Sequence, residues 1–153
     1  MPVWPALFAF AHHLAAFTVV AMLVIEHTLF AASLPVPLLR KLLRIDLIYG
    51  SAAAVLLVVG ALRVLYFEKG PIYYFSNGWF IAKLALFALV GLVSIYPTMT
   101  FLSWRPALRE QRAPQITALQ ARRVHLCLRI ELAGILGILL AAALMARGFG
   151  HIG

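Results

Sequence analysis

The stretch WPALFAFAHHLAAFTVVAMLVIEHTLFAA, residues 4–32, decides the fold of this chain. It is apolar along almost its whole length and exceeds the 20 or so residues that an α-helix needs to cross about 30 Å of hydrocarbon. It nevertheless contains His12, His13 and Glu26, and a charge inside a bilayer costs roughly 2.5–3.5 kcal/mol on insertion scales. Because such residues tend to face a bundle interior, the stretch predicts a transmembrane helix with one polar face.

Three further apolar stretches follow, and each again contains ionisable residues. The predicted spans cover residues 4–32, 46–67, 79–104 and 124–145, and none shows the strict two-residue alternation of a transmembrane β-strand. The chain has 153 residues, of which 64% are hydrophobic and 12% charged, whereas soluble domains have about 45–50% and about 25%. The sequence therefore predicts a single membrane domain over residues 1–153, an all-α transmembrane four-helix bundle.

The basic residues are concentrated in two short connections between spans. Arg40, Lys41 and Arg44 precede the second span, and five arginines precede the fourth: Arg105, Arg109, Arg112, Arg122 and Arg123. The positive-inside rule places both connections on the cytoplasmic side, so we expect the N-terminus and the C-terminus outside. This distribution explains the net charge of +8 without a nucleic-acid partner. The single cysteine, Cys127, excludes a disulfide framework within the chain.

The depths of the polar residues predict two layers within the bundle. The outer layer contains His12, His13, Arg63 and Lys83. The inner layer contains a larger set: Glu26, His27, Asp46, Tyr49, Tyr96, Thr98, His125, Arg129 and Glu131. Since His12 and Glu26 are nearly four whole helical turns apart, they share one face of the first span.

His12 and His13 are the sharpest candidates for a cofactor or metal site. Neutral imidazole in a bundle interior is a usual axial ligand of haem iron, and Arg63 and Lys83 would neutralise haem propionates or an anionic substrate. Lys83 is also a candidate second ligand. A helix turns about 100° between neighbouring residues, so the sequence leaves open which histidine faces inward. The alternative is that both histidines hydrogen-bond to backbone or to Arg63 in a water-filled vestibule.

In the inner layer we expect an ion-pair or proton network of Glu26, Asp46, Tyr49, Arg129 and Glu131. A Glu26–Arg129 pair between helices would leave Glu131 or Asp46 to be satisfied by a tyrosine or by a proton. The alternative is that these charges only hold the helices in register.

Two other classes of function stay open on these residues. A small transporter would use the two polar layers as a pathway, and a structural or assembly protein would use the charges only for helix registry. Copper handling needs clusters of soft or imidazole ligands. Only the His12–His13 pair supports it, because Met22, Met99 and Met145 are scattered.

Four motifs, one in each span, carry a resemblance to known families. They are AHHL at 11–14, RIDLIYG at 44–50, FIAKL at 80–84 and LRIE at 128–131. With EKG at 68–70 and SIYPT at 94–98, this pattern resembles a family of bacterial predicted membrane proteins with a domain of unknown function, over nearly the whole chain. More distantly, the pattern is similar to HemJ, the membrane protoporphyrinogen oxidases, and to the CopD-like copper proteins.

The resemblance to HemJ implies a multi-pass protein of the bacterial cytoplasmic (inner) membrane that has haem b, a porphyrinogen substrate that is oxidised to a porphyrin, and a quinone acceptor. By position, His12 or His13 would be the axial ligand and Lys83 a haem or substrate contact. Arg129 and Glu131 would match the final motif, although their spacing is one residue shorter than in HemJ. We therefore expect a haem-binding redox protein or oxidoreductase, with its substrate, electron acceptor and any homo-oligomer left open.

Overall fold

Residues 3–150, which the computed structural model describes, are built around four long helices. These are α1 (Trp4–Leu29), α2 (Val36–Leu62), α4 (Gly78–Ser103) and α6 (Ala118–Ala146), with the short helices α3 (Pro71–Phe75) and α5 (Arg105–Arg109) in the connections. No β-strand is present in this part of the chain. Each long helix is long and apolar enough to cross a membrane. The predicted all-α fold with four candidate spans is confirmed.

The long helices pack as two pairs. α1 lies along α2 and α4 lies along α6, and contacts of α1 with α6 and of α2 with α4 join the pairs. The connection between α2 and α4 lies at the same end of the bundle as residue 150, because the Gly78 N–H donates to the Gly150 carbonyl at 2.9 Å. We call this the terminal end, and the opposite end, which contains α5, the arginine-rich end. Which side of the membrane each end faces remains a prediction.

Two helices begin earlier than the predicted spans. α2 begins at Val36 rather than near Asp46, with Pro37 in its first turn, where the fixed φ of proline suits a helix start. α6 begins at Ala118, where the Thr117 hydroxyl accepts a hydrogen bond from the Gln120 N–H at 3.2 Å. Hydropathy marks only the part of a helix that lies in hydrocarbon, so it misses polar turns that project beyond it. The basic residues before the second span are therefore helical.

The apolar core is concentrated toward the arginine-rich end. Leu23, Leu42, Phe101 and Val124 are completely buried there, and the Phe30 and Phe101 ring centroids lie 5.8 Å apart. Large apolar side chains are exposed on the outside of all four long helices, among them Phe10, Phe17, Leu47, Leu57, Leu92 and Leu136. Membrane-spanning helices need such a surface, since these side chains contact the lipid bilayer.

At the terminal end, Asn77 links the start of α4 to the residues that follow α6. Its side-chain oxygen accepts hydrogen bonds from the N–H groups of Trp79 and Phe80, at 3.0 and 3.3 Å, and so caps α4. Its side-chain N–H donates to the Phe149 carbonyl at 3.0 Å. One buried side chain thus fixes the start of α4 against the residues that follow α6.

Candidate functional site

Three basic side chains from three helical segments meet near the terminal end of the bundle. His12 comes from α1, Arg63 from the turn after α2, and Lys83 from α4. His12 packs against Gly60, which precedes Arg63 by about one helical turn, and Lys83 lies in the second turn of α4, which begins at the same end of the bundle. We call these three residues the basic cluster. The structure therefore brings together three of the four side chains that the sequence assigned to a cofactor.

The fourth, His13, points away from this cluster. It is exposed on the outside of α1, and its Nδ1 lies 2.7 Å from the Ala9 carbonyl of the same helix. His12 is half-buried, and its Cε1 would lie only 3.2 Å from a Cβ added at Gly60. The lack of a side chain at residue 60 thus allows the imidazole to pack closely against α2. His12 is the inward histidine, and the pair does not converge on one ligand position.

Arg63 begins a π-helical turn, Arg63–Phe67, that ends α2. Such turns occur frequently at functional sites. The Phe67 ring stacks on Phe8 of α1 with centroids 4.4 Å apart, which fixes this turn one helical turn from His12. The Arg63 guanidinium pairs with Glu68 at 2.6 Å.

Glu68 has a second partner, Tyr74 of α3, whose hydroxyl donates to the other carboxylate oxygen at 3.3 Å. Burial, together with the Glu68 carboxylate, raises the pKa of Tyr74. The phenol therefore stays a neutral donor and helps to orient the carboxylate that orients Arg63.

The basic cluster has polar groups without partners. His12 Nδ1 and Arg63 Nε are buried and make no hydrogen bond within residues 3–150. The Lys83 ammonium lies 5.0 Å from the centre of the Phe80 ring and forms no ion pair in this range. Glu68 balances only one of the positive charges, so the cluster suits an anionic group.

A second group of polar side chains lies deeper, toward the arginine-rich end. Glu26 of α1, Asp46 of α2 and Glu131 of α6 are 1%, 5% and 1% exposed, and all three lie in the half of the bundle toward the arginine-rich end. We call them the carboxyl cluster. The Thr98 hydroxyl donates to Asp46 at 2.7 Å, and the Tyr49 hydroxyl donates to Glu131 at 2.9 Å.

Arg129 does not belong to this cluster, contrary to the expected network. It is exposed and forms no ion pair with Glu26; the ion pairs of residues 3–150 are Arg63–Glu68 and Arg112–Glu110. The reason is geometric. Side chains separated by two positions in a helix point about 200° apart around its axis. Because Glu131 is buried, Arg129 therefore lies on the opposite side of α6. Arg129 instead lines a separate cavity of about 480 Å³ with Arg122, His125 and Leu126.

A cavity of about 280 Å³ lies between the two clusters. Tyr49 and Thr98 line its inner end, and Ala16 and Phe87 line the end toward the basic cluster. Ala16 and Phe87 follow His12 and Lys83 by four residues, about one helical turn, so this end lies about 6 Å along the helix axes from the basic cluster. Tyr49 and Thr98 thus lie at one end of the cavity, and residues one helical turn from His12 and Lys83 lie at the other.

The side chains of the basic cluster suit the chemical groups of haem b, but the cavity is small for a macrocycle. His12 offers an imidazole for iron, and Arg63 and Lys83 offer positive charges for two propionates. Ligand sites have about 300–1,000 Å³, whereas the cavity of about 280 Å³ is smaller and is lined by no residue of the basic cluster. Residues 3–150 contain no group of three or more His, Cys, Asp or Glu side chains placed to hold a metal ion.

Sequence reasoning missed three parts of this site. These are the contact between Gly60 and His12, the π-helical turn held by Phe8 and Phe67, and the role of Glu68 as the partner of Arg63. Of these, only the pairing of Glu68 with Arg63 could have been predicted from the sequence, since the two residues lie five positions apart at the same end of a predicted span.

The comparisons with known proteins identify a family. The family model described as "Predicted membrane protein (DUF2214)" matches residues 4–150, which include all four long helices. No curated protein and no solved structure matches the chain. The more distant resemblance to HemJ and to the CopD-like proteins therefore stays a prediction.

Proposed function

The chain belongs to the DUF2214 family of predicted membrane proteins, and we propose that it is a membrane redox protein that binds haem b at the basic cluster. One observation carries this proposal: an inward imidazole and two cationic side chains meet near the terminal end, and His12 Nδ1 and Arg63 Nε lack partners in residues 3–150. An axial ligand for iron and two cations for propionates are what the protein must supply to a b-type haem.

The roles of the residues follow from their contacts. His12 would ligate the iron, and Gly60 leaves room for its ring against α2. Arg63 and Lys83 would bind the propionates, and Glu68 holds the Arg63 guanidinium in place through the 2.6 Å ion pair. Bound haem would supply one-electron redox chemistry. The protein would tune it through the ligand and through the positive charge around it.

The test is a visible absorption spectrum of the protein purified in mild detergent and reconstituted with haemin, before and after reduction with dithionite. We expect a Soret band, and α and β bands that sharpen on reduction. His12→Ala should lose these bands. His13→Ala is the matched control and should keep them, because His13 faces outward and bonds only within α1.

Two outcomes would contradict the proposal. A preparation that stays colourless after reconstitution would exclude haem binding, and equal spectra of the two histidine variants would exclude His12 as the ligand. Far-ultraviolet circular dichroism of both variants would show whether His12→Ala still folds. If it does not, His12→Gly with added imidazole tests the same ligand position.

The cavity favours a second candidate, a small transporter, because it lies between two polar clusters at different depths. Alternating access would expose its lining to both sides of the membrane in turn. In a Cys127→Ala background, Ala16→Cys should then react with an impermeant thiol reagent added from either side of a proteoliposome. Reaction from neither side would contradict transport.

A further inference from the structure

The distribution of acidic residues in this protein is unusual. The chain has five of them. Glu68 and Glu110 lie near the ends of the bundle, and each pairs with an arginine. The other three form the buried carboxyl cluster, and none of them pairs with a lysine or arginine in residues 3–150. The acids that can reach water are thus neutralised, whereas those in the bundle interior are not.

The groups that face the carboxyl cluster cannot neutralise it. α2 contributes Tyr49, α4 contributes Thr98, and α6 contributes Cys127, all without positive charge. Of the nearby basic residues, Arg129 is exposed on the other side of α6, and the His27 ring lies beside that of His125, 6.4 Å between centroids. Three ionised carboxylates at this depth would each need compensation that these groups do not give.

Two carboxyl oxygens in the cluster also lack hydrogen bonds. Glu26 Oε1 and Glu131 Oε1 are buried without a partner in residues 3–150, and both side chains are only 1% exposed. A buried oxygen without a partner destabilises the folded state, because it has lost its hydrogen bonds to water. A proton bound to one of these carboxyls would remove an uncompensated negative charge from the bundle interior. These carboxyls are not grouped closely enough to hold a metal ion.

We propose that the carboxyl cluster is a proton-binding site that exchanges protons with the cavity through the hydroxyl groups of Tyr49 and Thr98. Both residues line the cavity, and each hydroxyl is hydrogen-bonded to a carboxyl of the cluster. In each transfer a hydronium ion gives a proton to the hydroxyl oxygen and becomes water, and the hydroxyl gives its own proton to the carboxylate oxygen to which it is hydrogen-bonded. The site uses no residue of the basic cluster, so it does not depend on haem binding.

Dicyclohexylcarbodiimide, an apolar reagent, tests the bound proton because it reacts with protonated carboxyls in apolar surroundings. Mass spectrometry of the labelled protein in lipid should locate the adduct on Glu26 or Glu131 at neutral pH. Glu68 and Glu110 are internal controls and should stay unlabelled. Labelling should fall as the pH is raised. Equal labelling of all four glutamates would overturn the proposal, and so would protection by sodium at constant pH, which would indicate a metal ion instead.

Infrared spectroscopy decides the outcome if the reagent cannot reach the cluster. The carbonyl stretch of a protonated carboxyl should be present at neutral pH, should weaken in Glu26→Gln or Glu131→Gln, and should be unchanged in Glu110→Gln. Its absence from the unmodified protein would overturn the proposal.

Transfer into deuterated buffer tests the route through the two hydroxyl groups. Exchange of the carboxyl proton for deuterium shifts the carbonyl band, and the rate of this shift is measured. Since a positioned proton-transfer group contributes about 100-fold or more, Tyr49→Phe with Thr98→Val should slow the shift by about 100-fold. Tyr96→Phe should not slow it. An unchanged rate in the double variant would exclude the route through the two hydroxyls.

Discussion

The hydrogen bond between Tyr49 and Glu131 gives the sharpest prediction for stability. It joins α2 to α6, which belong to different helix pairs, over 2.9 Å, and both side chains are buried. Tyr49→Phe removes only the hydroxyl. Since Glu131 Oε1 already lacks a partner in residues 3–150, the variant leaves both oxygens of this carboxyl without a hydrogen bond from another residue.

The expected loss of unfolding free energy follows from two magnitudes. Hydrogen bonds between helices in a membrane are worth about 0.6 kcal/mol on average and about 1.7 at most. A buried acceptor that loses its partner costs about 1–3 kcal/mol. Because Glu131 loses its last partner, we expect a loss of about 1–1.7 kcal/mol, where these ranges overlap. Glu131→Leu with Tyr49→Phe should recover much of it, since replacing both partners by apolar groups can be nearly neutral.

The assay is equilibrium unfolding in mixed detergent micelles, followed by tryptophan fluorescence in a Trp4→Phe, Trp79→Phe background, so that the signal comes from Trp104, which is 2% exposed in the core. Tyr96→Phe is the control, because Tyr96 is half-buried and its hydroxyl bonds to no other residue of the range 3–150. A coupling energy between Tyr49 and Glu131 within the roughly 0.3–0.5 kcal/mol expected for independent sites would refute the reasoning.

Three further variants test packing, capping and ionisation. Gly134→Ala would place a Cβ in steric conflict with Val90 and should cost about 1–3 kcal/mol in the same unfolding assay, whereas Gly91→Ala, with open space around it, should cost nothing. Asn77→Ala removes the cap of α4 and should cost about 0.5–2 kcal/mol; an unchanged midpoint would contradict the cap. Tyr74→Phe should remove the tyrosine that ionises late in an absorbance titration. Because its pKa is raised by folding, the stability from the neutral phenol is present below about pH 10 and lost as pH rises through the raised value; a normal titration would contradict this.

The two proposals concern different depths of one bundle. The basic cluster lies near the terminal end, and the carboxyl cluster lies deeper, with the cavity between them. Haem spectra test the first cluster and carboxyl labelling tests the second. The failure of either proposal would therefore leave the other standing.

The order of polar residues along the spans predicted part of the candidate site. Glu26, Asp46 and Glu131 were assigned to one layer, and the structure brings all three together with Tyr49 and Thr98. Depth follows from position along a span, because the rise of a helix per residue is fixed and the apolar length must match the hydrocarbon.

The sequence alone determined that this protein has four apolar helices, where they lie in the chain, and which polar residues share a depth. Only the tertiary structure decided which side of each helix faces inward: His12 rather than His13, and Glu131 without Arg129. The physical reason is that lipid is as apolar as a bundle interior, so hydrophobic patterning does not distinguish the two faces of a spanning helix. Contacts between distant segments, such as the packing of His12 against Gly60, decide the rotation instead.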